Sequence, residues 1–111
     1  MNKYELTKQK VDDLVKKENK YEFPQFLTEI RKCFGISRRN VCKDIEIPEM
    51  KMFHLESGVF RMHVNYEEIK RIASYYDVDS QLLKSKADEF ITDGKGIPQD
   101  KYYLARKVLF N

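Results

Sequence analysis

Residues 35–58, GISRRNVCKDIEIPEMKMFHLESG, constrain this chain more than any other stretch. Val41, Cys42 and Ile45 recur at spacings that share one helical face. After the break at Ile47-Pro48 the habit returns with Met52 and Leu55, with Phe53 as a further candidate. Pro48 has no place inside a helix but suits a first turn, where its missing N–H is not needed. Ser37 stands where an N-cap is wanted, and Gly35 and Gly58 where helices stop. The stretch predicts a helix over residues 38–45, a tight join, and a second helix over 48–57.

The flanks extend this pattern. Pro24 opens a predicted helix to Phe34, with Phe26, Leu27, Ile30, Cys33 and Phe34 inward. Asn65 is set to cap a helix whose inner face is Tyr66, Ile69, Ile72, Ala73 and Tyr76, with Glu68 at the capping-box spacing. A further helix starts at Asp79 or Ser80 and runs through Leu82, Leu83, Ala87, Phe90 and Ile91. Residues 59–65 alternate apolar and polar groups. A short strand would do so too, but no partner strand is evident, and a loop over the core is expected.

In order, these residues resemble the helix-turn-helix of the phage repressor and Cro-like (XRE) family. That family runs as Ser-Gln, Leu-Ala, Gly-Val-Ser, Ile-Ser and Glu-x-Gly. Here the places are taken by Ser37-Arg38, Val41-Cys42, Glu46-Ile47-Pro48, Met52-Phe53 and Glu56-Ser57-Gly58, with no gap. Ile69, Ile72-Ala73, Tyr76, Val78 and Leu82-Leu83 resemble the family's last two core helices. The resemblance spans residues 24–83. It implies an all-α fold with a five-helix lambda-repressor-like core in residues 24–92. Residues 1–23 and 93–111 would be N- and C-terminal helical extensions.

The N-terminal extension reads as a charged helix with a narrow stripe of Tyr4, Val11, Leu14 and Val15. Docking on the body or pairing with a second copy would use such a stripe; fraying is the remaining alternative. Asp93-Gly94-Lys95-Gly96 makes a turn or hinge. KYYLARKVLF, residues 101–110, is expected to be helical, although a strand would suit it as well.

Composition narrows the function classes. With 41% hydrophobic and 35% charged residues, 111 residues make one modest globular domain. The net charge of +3 tolerates a polyanion without demanding one. Cys33 and Cys42 stand on apolar faces, which predicts free thiols in a reducing cytoplasm. They form no zinc set with His54 and His63, so neither metal nor cofactor is expected. No secretory signal or membrane span is read. No phosphate loop or nucleophile–base pair is present, and the chain is not read as an enzyme.

The resemblance also implies a DNA site. By position, Glu49, Met50, Lys51 and His54 would meet base edges. Ser37, Arg38, Arg39, Lys43 and Arg61 would hold phosphates, with His63 in the same loop as Arg61. Arg38, Arg39 and Lys43 are the right chemistry for phosphate, although a solvated helix face would look the same. Met50 suits a thymine methyl and Lys51 a guanine. Glu49 can accept from cytosine N4, but it equally favours a helix N-terminus for structural reasons. Three departures stand out: Glu46 replaces the turn glycine, Pro48 the capping Ser, and Phe53 a small polar residue.

The first expectation is a small repressor-type transcriptional regulator, a homodimer on a near-palindromic duplex site. The alternative keeps the fold but turns the reading helix, or the C-terminal extension, to a protein partner. A phage inhibitor or an antitoxin-like protein would suit that chemistry.

Overall fold

The computed structural model describes residues 2–59 and 65–92. The expectations for the 60–64 loop, including Arg61 and His63, and for residues 93–111 lie outside them. Every regular element among the described residues is helical.

Local chemistry accounts for most helix ends. Helix α1 is Lys3–Lys16; Asn2 Oδ1 accepts from the Glu5 N–H at 2.8 Å. A single 3-10 turn, Glu18–Lys20, follows. Helix α2, Phe23–Phe34, carries Pro24 in its first turn and ends at Gly35, φ 63°. Helix α3, Arg38–Ile45, is capped by Ser37, whose Oγ accepts from the Asn40 N–H at 3.2 Å. Helix α4 is Glu49–Ser57, with Pro48 just outside it as the N-cap rather than in the first turn. Helix α5, Tyr66–Tyr76, starts from Asn65, whose side chain accepts from Glu67 and Glu68. Helix α6 is Ser80–Thr92.

Helix α2 lies at the centre and packs on α1, α4 and α6. Helix α3 packs on α4 and α5, and α5 on α6. The inner faces read from spacing meet here: Phe26, Leu27 and Ile30 join Val41, Met52, Ile69, Ile72 and Leu83, all essentially without exposure. Gly58 is doubly determined. Its φ of 80° disfavours a side chain, and an added Cβ would lie 3.1 Å from the Phe90 ring. That close approach lets the end of α4 settle against α6.

The N-terminal segment docks on the body. Val11 is buried among the core residues, with Leu14 and Val15 partly buried beside it. Behind it, the buried Lys86 of α6 donates to Glu18 O at 2.7 Å and pairs with Glu18 Oε2 at 2.9 Å. Its ammonium also sits over the Phe26 ring, 5.1 Å from the centroid. A buried ammonium demands such partners, so Lys86 ties the 3-10 turn to α6 and α2.

The join between α3 and α4 keeps the left-handed geometry without glycine. Glu46 has φ 58° and ψ 45°. Arg71 of α5 holds it by donating to Ile45 O at 3.0 Å and Glu46 O at 3.2 Å. Glu46→Gly relieves a strain of about 1–2 kcal/mol and adds an unfolded-state entropy cost of roughly 0.5–1 kcal/mol. A net gain of about 0.5–1 kcal/mol in denaturant-measured stability is expected. A loss would show that the Glu46 side chain itself contributes to the turn.

Candidate nucleic-acid interface

The site is organised around one carboxylate. Glu56, near the end of α4, has a side chain only 3% exposed. Arg31 of α2 grips it from two nitrogens, Nε to Oε2 at 2.9 Å and Nη2 to Oε1 at 3.0 Å. The remaining Arg31 nitrogen, Nη1, donates to Ile36 O at 3.1 Å. Arg38 at the start of α3 donates to the same carboxylate from Nε at 3.3 Å. One anion thus joins three helices, and its hydrogen bond and negative charge raise the Arg31 guanidinium pKa further. Arg38 is thereby positioned: its guanidinium lies over the Phe53 ring, 5.1 Å from the centroid.

Of the phosphate candidates, Ser37 uses its hydroxyl as the α3 cap, and Arg38 is engaged by Glu56 and Phe53. Arg39 and Lys43 are exposed, one turn apart on the outside of α3, and take no ion pair among the described residues. They are the cations of this face best placed for an incoming anion.

The base-contact candidates fall differently. Glu49, Met50 and Lys51 are exposed on the first turn of α4. Lys51 Nζ pairs with Glu68 Oε1 at 2.5 Å, so its charge is already met by α5. His54 is a correction to the sequence reading. It is 6% exposed, and a buried ring does not reach a base edge. The outward position a turn from Met50 belongs to Phe53. Periodicity was ambiguous here because Met50, Met52, Phe53, His54 and Leu55 place apolar or aromatic groups all round a nine-residue helix.

The sequence gives no sign of the polar partners of Glu56. Arg31 lies 25 residues away in the chain, and no local spacing points to it. Close to this network sits Tyr76, fully buried, whose hydroxyl has no hydrogen-bond partner among the described residues. Burial, then the Glu56 charge, raises its pKa far above the ordinary value of 10.0. Tyr76→Phe removes a buried polar atom with nothing to bond, and a gain of about 1 kcal/mol is expected. The pH dependence has a definite sign. A raised folded-state pKa contributes stability in full below pH 10 and loses it as pH rises above that value. Denaturation at about pH 9 and about pH 11 should show a steeper loss for the wild type than for Tyr76→Phe.

Both thiols are free, Cys42 buried and Cys33 half-buried, and burial raises the pKa of each. They are held as thiols rather than as reactive thiolates. No helix among the described residues is long and apolar enough to cross a membrane. No protein-family model, curated protein or solved structure matches the chain.

Proposed function

We propose that the chain is a repressor-type transcriptional regulator that binds double-stranded DNA through a lambda-repressor-like helix-turn-helix. Helices α2 to α6 make the five-helix core, α3 and α4 the motif, and α4 enters the major groove. The observation that carries this reading is the pairing of α3 and α4 across a three-residue join that opens on left-handed Glu46, with exposed Arg39 and Lys43 beside an exposed α4 face. Phosphate contacts come from Arg39 and Lys43, with Ser37 and Arg38 at the α3 N-terminus and Arg61 further along the chain. Glu49 and Met50 face the bases, and Lys51 stands beside them with its ammonium on Glu68. The protein acts as a cytoplasmic homodimer whose two reading helices lie about one DNA turn apart.

Selection from random duplex DNA at low and moderate salt tests the reading. A near-palindromic motif bound with steep salt dependence is the expected result. No retention at low salt would overturn it.

A second reading has its own observation. Met50 and Phe53 are exposed apolar groups beside acidic Glu49, a combination that suits a protein partner such as a phage inhibitor target or an antitoxin partner. Binding through that apolar face would change little with salt, whereas phosphate binding must weaken.

A further inference from the structure

We propose that α4 reads thymine by its 5-methyl group, with Phe53 and Met50 as the specificity-determining side chains. The inference rests on the DNA-binding reading above and gives its site a substrate preference.

The exposed side chains of α4 are Glu49, Met50, Lys51, Phe53 and Ser57. Two of their polar groups are engaged within the protein. Ser57 Oγ donates to Phe53 O at 2.7 Å, and Lys51 pairs with Glu68. Among the exposed residues this leaves Met50, 59% exposed, and Phe53, 37% exposed, with Glu49 as an acceptor at the helix start. Met50 and Phe53 are three residues apart and therefore neighbours on the helix surface. Phe53 is also held in orientation. Arg38 covers its ring from one side, and Glu56 holds Arg38. A ring fixed in this way meets a ligand with little further loss of rotamer freedom.

The major-groove edge of a base pair offers acceptors, donors and one apolar group, the thymine methyl. An apolar pair on a reading helix has only that group to gain from. Every other base edge would lose water against Phe53 or Met50 without a new hydrogen bond. Arg39 and Lys43 on the neighbouring helix supply the positive charge that duplex DNA needs at this face. The preferred half-site therefore carries thymine opposite Phe53 and Met50. Glu49 adds a preference for a base with an exocyclic amine in the major groove, cytosine or adenine.

The test uses the duplexes recovered by selection, resynthesised with deoxyuridine in place of thymine at one position at a time. This change removes the methyl and keeps every hydrogen-bonding group. At one or two positions of each half-site, affinity should fall about three- to fivefold, the effect of one buried methyl. Phe53→Ala should erase the penalty at one of these positions and Met50→Ala at the other, with the salt slope unchanged. The deoxyuridine series on the unaltered protein stands even if either variant folds poorly. Equal affinity for thymine and uracil duplexes overturns the inference and leaves the DNA-binding reading standing. Failure to retain any duplex at low salt overturns both and assigns the apolar strip to a protein partner.

Discussion

Replacing Glu56 by alanine is expected to cost about 3 kcal/mol of stability, the lower end of the range for breaking a buried ion pair. The lower end applies because the guanidinium groups keep some access to water, Arg31 at 16% exposure and Arg38 at 31%. Truncation leaves Arg31 with Ile36 O alone and Arg38 with only the Phe53 ring. The double variant Arg31→Met/Glu56→Leu should recover most of the loss, because an apolar pair of similar volume avoids desolvating charges. Urea denaturation of the three proteins measures this. A loss below about 1 kcal/mol for Glu56→Ala would mean that the carboxylate gains little from burial beyond what water provides. The same variant should blur DNA discrimination, because Arg38, no longer anchored by Glu56, fixes the Phe53 ring less firmly.

The double variant Arg39→Ala/Lys43→Ala should weaken binding to all duplexes by roughly 10- to 100-fold at moderate salt. It should also reduce the magnitude of the slope of log affinity against log salt by about 2, one for each phosphate that is no longer neutralised. Both side chains are exposed and take no ion pair among the described residues, so stability should change by less than about 0.5 kcal/mol. Arg38 is unsuited to the same substitution, since its removal would disturb the Glu56 network as well as any phosphate it meets. An unchanged salt slope would reject the docking of α3 against the DNA backbone.

The two variants differ in what makes them visible. Arg39 and Lys43 are legible as a local basic face, because a helix period places residues four apart together. Glu56 is legible only as part of a Glu-Ser-Gly ending. Its structural role depends on Arg31 and Arg38, 25 and 18 residues away, which no local rule brings together. His54 shows the opposite case. It is legible as a polar group on α4, yet packing turns it inward and gives its outward place to Phe53. Glu46 shows a third. Its position demands a left-handed residue, and the chain keeps that geometry with Arg71 as a brace rather than by changing the turn.

From the sequence alone come the features that depend on neighbours within a turn or two. These include the caps at Ser37 and Asn65, the stops at Gly35 and Gly58, the break at Pro48 and the inward faces of α2, α3 and α5. Such features rest on backbone sterics, on short side-chain hydrogen bonds and on periodicity, all of which are local. The tertiary structure alone decides which charges are committed and which remain available. It buries Lys86 against Glu18, engages Lys51 with Glu68 and closes Glu56 between two arginines. It leaves Arg39, Lys43, Met50 and Phe53 outside. The reason is that pairing and desolvation depend on distance in space, and a charge meets its partner only after the helices have packed.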